Sequence, residues 1–243
     1  KFIRGVKMKI MNYEIFTEEL ESLNLEKRQI INTINAHSYI VAKDDLEFKN
    51  SLLNSDILIP DGSGIVLAAK VLNKKIIKKI SGYDLHSFLL KEMNQKSGKI
   101  FYMGSSKDTL KKIENKIKLE YPNISVSTFS PPFKDNFTDE ENQEIIDKIN
   151  NFKPDVLFIG MTAPKQEKWL IKNKNLLEFK IASAIGAVFD FYVGNVKRPH
   201  KLFEKFHIEW LGRLINEPKR LWRRNLSVPL FLKDLFVEKI LGE

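Results

Sequence analysis

The sequence Pro60-Asp61-Gly62-Ser63-Gly64 puts a single carboxylate between a run of apolar residues and a glycine turn. A carboxylate at the end of a strand, facing a cleft, can take a proton from an attacking hydroxyl. The same residue could instead cap a helix beginning near Ser63, and at this level both readings stay open. Four further turns have the same character: Asn32 to Asn35, Met103-Gly104-Ser105-Ser106, Gly160-Met161-Thr162-Ala163-Pro164 and Gly186-Ala187-Val188-Phe189-Asp190. Each alone is an ordinary strand-to-helix turn. Together they would line the carboxyl edge of a parallel sheet, where helix N-termini offer free N–H groups to phosphate. Gln166 and Glu167 follow Pro164 in what reads as a first helical turn, where such residues are also ordinary helix-start composition.

Several sites are missing. There is no GxxxxGK[ST] loop and no GxGxxG, which argues against a P-loop nucleotidase or a standard dinucleotide fold. HExxH and DxD are absent, and His37, His86, His200 and His207 show no ligand spacing, so no protein-held metal is expected. These histidines read as surface or packing residues. With no cysteine, disulfides and thiolate chemistry are excluded, which fits a reducing compartment. The basic opening KFIRGVK is followed by no apolar signal core, and no stretch reaches the roughly 20 apolar residues of a membrane span.

The elements that must position these residues follow from periodicity. Lys99 to Met103 reads as a buried strand, Lys107 to Glu120 as an amphipathic helix and Ile124 to Phe129 as a strand. Thr138 caps a helix through Asn151, Asp155 to Ile159 is a strand, Pro164 opens a helix, and Ile181 to Ile185 is the next strand. This succession of βαβ units implies an α/β fold with parallel sheets. The first hundred residues repeat it more weakly, with strands near Gln29 to Ile34 and Asp56 to Ile59 and a helix after Gly62. The reading is an α/β core over 1–195, in lobes of about 1–97 and 98–195, and a helical appendage over 196–243. Segment 131–137, PPFKDNF, reads as a turn-rich loop.

The formal net charge of +9 is uneven, with eleven Lys/Arg against five Asp/Glu between Lys197 and Lys239. Pro218 and Pro229 suit first helical positions, giving helices around 201–215, 218–225 and 229–241. Arg213, Arg220, Arg223 and Arg224 are interleaved with Trp210, Leu211, Leu214, Leu221 and Trp222. A solvated basic face, a single-strand nucleic-acid surface and a membrane-interfacial helix set all fit that composition. In the membrane reading, Leu230, Phe231, Leu235 and Phe236 enter the headgroup layer.

NTINAHS (32–38), PDGSGIVLAAK (60–70), SGYDL (81–85), GMTAPKQEKW (160–169), IGAVFDFYVG (185–194) and EWLGRLINEPKRLWRR (209–224) together resemble the WecG/TagA/CpsF family, glycosyltransferase family 26. The resemblance covers about 12–235. It implies a two-lobed Rossmann-like fold of the GT-E type. The implied reaction is an inverting, metal-free, cofactor-free transfer from a UDP-sugar, carrying N-acetylmannosamine, its uronate or glucose, to an undecaprenyl-diphosphate-linked sugar. It also implies Asp61 as catalytic base, Thr33, Asn35 and Gln166 in the pocket, and Asp190 near the nucleotide. Gly104 belongs to the phosphate-facing turns, and Arg213, Arg220 and Arg223 are expected over the diphosphate. The enzyme would sit peripherally on the cytoplasmic face of the cell membrane and bind no nucleic acid, with a homo-oligomer left open. Two departures are VKRPHK after Gly194, where relatives carry RAP, and Ala163-Pro164 where Ser-Pro is commoner; both leave the donor sugar open. The competing class is a nucleotide- or nucleic-acid-binding regulatory module. Asp61 discriminates, since a carboxylate in a purely phosphate-binding cleft would repel its ligand.

Overall fold

The computed structural model describes residues 7–196 and 226–241. A hairpin of β1 (Lys7–Ile10) and β2 (Tyr13–Phe16) precedes the main sheet. Then come β3 (Gln29–Ile34), α1 (Ala36–Asp44), α2 (Leu46–Leu53), β4 (Ile57–Pro60), α3 (Ser63–Asn73) and α4 (Gly82–Lys96). The second half supplies β5 (Lys99–Gly104), α5 (Lys107–Glu120), β6 (Ser125–Phe129), α6 (Asp139–Phe152), β7 (Val156–Gly160), α7 (Lys165–Asn173), β8 (Ile181–Ala184) and α8 (Gly186–Tyr192). The last described element is α9 (Ser227–Leu241).

The expected parallel α/β class is present, and both halves share one six-stranded sheet ordered β4-β3-β8-β7-β5-β6. Strand β8, last in sequence, lies between β7 and β3 and joins them. The two joints differ. Ladder pairing of β7 with β8 covers four residue pairs, whereas β3 with β8 covers only Gln29↔Ile181 and Ile30↔Ala182. Beyond that point the buried Asn32 reaches across, its Oδ1 accepting the Ala184 N–H at 3.1 Å. A surface ion pair helps tie the halves, Lys168 of α7 to Asp45 at 2.6 Å.

Alternation along the strands feeds the two faces of the sheet. One face packs Ile31, Ile100, Tyr102 and Phe158 against Leu85 and Leu89 of α4, Ile113 of α5, and Val188 and Phe189 of α8. The other packs Phe101, Leu157 and Ile159 against Ile145 and Ile149 of α6 and Trp169 and Leu170 of α7. Helix starts are fixed by reciprocal capping boxes, Asn35 with Ser38, Ser81 with Asp84 and Thr138 with Glu141, satisfying N–H groups that a helix cannot satisfy itself.

The hairpin, α1, α2, α3 and α9 enclose a third cluster. Here the reading of the tail is corrected. Phe231 and Leu235 are buried, so these two side chains face the protein and not a lipid headgroup layer. Phe231 meets the Tyr39 ring edge-on at 5.3 Å, and a Cβ on Gly64 would lie 3.4 Å from it. Ser227 hydrogen-bonds His37 at 2.8 Å and Asp234 pairs with Lys43 at 2.6 Å. Leu230, Leu232, Phe236, Val237, Ile240 and Leu241 are the large apolar residues that α9 leaves exposed. The helix expected over 229–241 runs 227–241, with Pro229 in its first turn. Those expected around 201–215 and 218–225 lie outside the described residues.

Candidate active site at the carboxyl edge of the sheet

In a parallel sheet all strands deliver their following turns to one edge. That edge here collects Asp61 after β4, Asn35 after β3, Gly186 after β8, Met161 after β7 and Ser105 after β5. From β4 to β5 is four strand spacings, roughly 19 Å. The N-termini of α1, α3, α5, α7 and α8 point to the same edge, and their helix dipoles give it a positive field suited to a diphosphate.

Asp61 is half-buried, and its N–H donates to Ile34 O at 2.8 Å, locking the β4 exit to the end of β3. The N-cap of α3 is Gly62 at φ +112°, so the capping position falls one residue after Asp61. A positive φ of that size is costly for any residue with a Cβ, which explains the glycine. The turn lies against Asn35: a Cβ on Gly62 would sit 3.6 Å from Asn35 Cβ.

Asn35 spends its side-chain carbonyl on the Ser38 N–H at 3.0 Å, as the cap of α1. Thr33 is half-buried, two residues along β3 from Ile31 and on the same face. Gln166, in the first turn of α7, is buried. Its Oε1 accepts two N–H groups, from Met161 at 3.2 Å and Gly186 at 3.1 Å, and its Nε2 donates to Glu167 Oε1 at 2.9 Å. Glu167 is likewise buried, which goes beyond helix-start composition.

Gly104 stands opposite Gly160 in the β5–β7 ladder, at φ +106°, where a Cβ would meet Gly160 O at 2.4 Å. Asp190, on α8, joins a polar chain. Asn195 Nδ2 donates to Asp190 Oδ1 at 3.2 Å and to Thr109 Oγ1 at 3.1 Å, and the Asn195 carbonyl accepts from Lys112 at 3.3 Å. Ser106, the cap of α5, donates to Thr109 at 3.1 Å. Asp190 is thereby linked to the start of α5, near Gly104.

The structure thus brings Thr33, Asn35 and Asp61 together on the β3/β4 side. Gln166 lies across the seam, and Gly104 and Asp190 lie further along. Arg213, Arg220 and Arg223 lie outside the described residues. Among the described residues no group of three or more His, Cys, Asp or Glu side chains is placed to hold a metal ion. A shallow depression on α6 is lined by Asp139, Glu140, Glu144 and Asp147, and its charge makes it unsuited to phosphate.

His86 is a packing residue, as read from the sequence. It is fully buried, with Nε2 2.7 Å from the Tyr102 hydroxyl and its ring 4.9 Å from those of Phe158 and Tyr192. Burial lowers its pKa from 6.5 to about 3, with a smaller contribution from Lys116, so the ring is neutral. Lys165, which opens α7, lies 4.1 Å from the Phe137 centroid and donates to Lys134 O, holding loop 131–137 to α7; partial burial lowers its pKa.

Asn32 and Gly186 open two of the turns read from the sequence, but spacing assigns neither a role of its own. For Asn32 there was one signal, an amide inside the otherwise apolar stretch of Gln29–Ile34. Gly186 admits no side chain, since a Cβ would lie 2.3 Å from Met161 O and 2.6 Å from Gln166 Oε1.

Comparison with known proteins gives the family. The chain is 32% identical over 219 residues to an N-acetylglucosaminyldiphosphoundecaprenol N-acetyl-beta-D-mannosaminyltransferase of Bacillus spizizenii, covering 89% of this chain and 83% of the relative. A protein of the same name from Bacillus subtilis is 30% identical over 230 residues, covering 94% and 88%. One from Staphylococcus aureus is 30% identical over 175 residues, covering 72% and 66%. The family described as "Glycosyl transferase WecG/TagA/CpsF family" matches residues 2–243, and the chain therefore belongs to that family of glycosyltransferases.

Proposed function

We propose that this glycosyltransferase moves N-acetylmannosamine, with inversion and without a divalent metal, from UDP to an undecaprenyl-diphosphate-linked N-acetylglucosamine. The observation that carries the reading is Asp61, fixed at the β4 exit on the edge where the helix N-termini converge. The acceptor named for the relatives supports the second substrate. The uronate and glucose are the donors to be separated from N-acetylmannosamine by experiment.

In this mechanism the acceptor hydroxyl attacks the anomeric carbon while Asp61 takes its proton, and the bond from that carbon to the UDP β-phosphate oxygen breaks. Charge appearing on the leaving UDP is met by helix N–H groups on this edge and by Arg213, Arg220 and Arg223, whose guanidinium groups suit phosphate. Two described residues flanking the arginine-bearing stretch support this role. Asn195 bonds Thr109 in the first turn of α5, and Ser227 bonds His37 in the first turn of α1. Both contacts lie at the carboxyl edge. Asp190, tied to the same start of α5, stands near the nucleotide.

No described helix is long and apolar enough to cross a membrane. The exposed Leu230, Phe236, Ile240 and Leu241 support a peripheral contact with the cytoplasmic face of the cell membrane.

The test uses the purified chain, a water-soluble diphosphate-linked N-acetylglucosamine acceptor, and UDP-N-acetylmannosamine, its uronate and UDP-glucose in parallel, with and without EDTA. Transfer from the first donor, surviving EDTA, is expected. Asp61→Asn should keep UDP affinity and lose about 10² to 10⁴ in turnover. Near-normal turnover in that folded variant would remove Asp61 from the mechanism, and UDP binding without transfer from any donor would favour the non-catalytic binding module.

A further inference from the structure

The turn leaving β8 is held in an unusual way. Three consecutive N–H groups, of Ala184, Ile185 and Gly186, each go to an acceptor on a different element. Ala184 donates to Asn32 Oδ1 of β3 at 3.1 Å, Ile185 to Ile159 O of β7 at 3.0 Å, and Gly186 to Gln166 Oε1 of α7 at 3.1 Å. Only the middle one is a main-chain ladder bond. The other two are made by carboxamides that are themselves fixed: Asn32 Nδ2 donates to Ser55 Oγ at 3.0 Å, and Gln166 Nε2 donates to Glu167 at 2.9 Å. Asn32 is 0% exposed and Gln166 5%.

The ladder between β3 and β8 ends at Ile30↔Ala182, so the carbonyl of Asn32 stands where a main-chain acceptor of β3 would otherwise be. A side-chain amide, and not the backbone, spans the seam at the point where the carboxyl edge must open. A buried N–H cannot be left unpaired without cost, so the length and rotamer of Asn32 determine how far the strands part. Gln166 does the same on the other flank. Its one oxygen takes the N–H of Gly186 and that of Met161, so the exits of β8 and β7 move together. Gly186 also begins α8, which carries Asp190.

We infer that Asn32 and Gln166 are a pair of positioning residues: together they suspend the β8 exit turn and set the gap between the Asp61 side of the cleft and the α8 side. The inference rests on the transferase reading above and deepens it. It gives Gln166 a role through the protein, since its carboxamide oxygen already accepts from two main-chain groups and its nitrogen already donates to Glu167.

The test compares wild type, Asn32→Ala, Gln166→Ala and the double variant by hydrogen exchange over 181–192 and by steady-state kinetics. Each single variant is expected to speed exchange at 184–186 and to lower kcat by about 10²-fold, the cost of misplacing reacting groups by about 1 Å. KM for the donor should move far less. Because both lesions release one turn, the double variant should lose less than the product of the single losses. Asn32→Asp supplies a rescue. When protonated, its carboxyl can accept from Ala184 and donate to Ser55 as the amide does, and burial favours that form. Its kcat relative to wild type should therefore rise as pH falls. Should Asn32→Ala fail to fold, Ser55→Ala, which frees only the outer end of the amide, gives the same readings in weaker form.

A fall in kcat with unchanged exchange at 184–186, or faster exchange with unchanged kcat, would overturn the inference. If the wild type binds UDP but transfers no sugar, the transferase reading falls instead. Exchange at 184–186 needs no turnover and still decides whether the two amides hold the turn.

Discussion

Between β5 and β7 the ladder runs five pairs to the strand ends, closing with Gly160 opposite Gly104, whereas between β3 and β8 it stops after two. The first joint is packed so tightly that a Cβ on Gly160 would lie 2.4 Å from the Phe189 ring. The second is spanned by a side chain. Glycine contacts and longer ladders stitch β5, β7 and β8 into one platform, while the β3–β4 side joins it through two ladder pairs, Asn32, surface ion pairs worth little singly, and the shared core that holds Ile31 and Ile59. The residues proposed for chemistry straddle that seam. That seam has the shortest main-chain ladder in the sheet.

If the two sides are separately stable, a lesion in one should leave the other protected. The largest effect is expected from Phe231→Ala, which empties the site between α1 and α3. Loss of a buried aromatic ring costs about 3 to 5 kcal/mol. Hydrogen exchange should rise over 227–241, α1 and α3 while β5 and β7 stay slow; equal loosening of both sides would abolish the contrast. Gly160→Ala strikes the platform. Inserting a methyl group against Phe189 should cost about 1 to 3 kcal/mol, read as a lower thermal midpoint with faster exchange in β5 and β7.

The effect that is smallest near neutral pH is a slope. Between about pH 6.5 and about pH 3 an unfolded chain takes up a proton that buried His86 refuses. Stability therefore falls as pH drops through this window, by about 1.4 kcal/mol per pH unit from this one group. His86→Phe should flatten that part of the curve in urea unfolding followed against pH. Since His86 belongs to the platform, acid should also raise exchange in α4 and α8 before β3.

Much of this architecture was legible because periodicity is a local property. Strand β3 and helix α5 have the ends expected from the sequence, and Thr138 caps α6 as its spacing requires. Helix α4 carried a readable sign, the Ser81-x-x-Asp84 capping box, but was not drawn from it. Helix α1 had little to read, since Ala42 is its one fully buried residue and no apolar stripe marks a face. The hairpin was missed too: Met11 and Asn12 at its tip both have positive φ, without the glycine that usually advertises such a turn. The site was partly legible. Asp61 could be named from PDGSG because the turn and the carboxylate are adjacent in sequence. Asn32 opens a turn that could be named, but its bond across the seam could not, because its partner Ala184 is 152 residues away and a long-range hydrogen bond leaves no mark in spacing.

Strand order has one further consequence, for solubility. Strand β4 ends one side of the sheet, but the main chain of Ile80 bonds to Pro60 there and the hairpin packs alongside. Strand β6 ends the other, and among the described residues its only strand partner is β5. An open edge is a template for a second chain, and proteins blunt it by keeping the strand short and polar. Strand β6 is five residues long and reads Ser-Val-Ser-Thr-Phe, so three of its five side chains end in a hydroxyl. Exchanging Ser127 and Thr128 for valine, a conservative change by strand propensity, would give that edge the run of β-branched apolar residues from which intermolecular sheets grow.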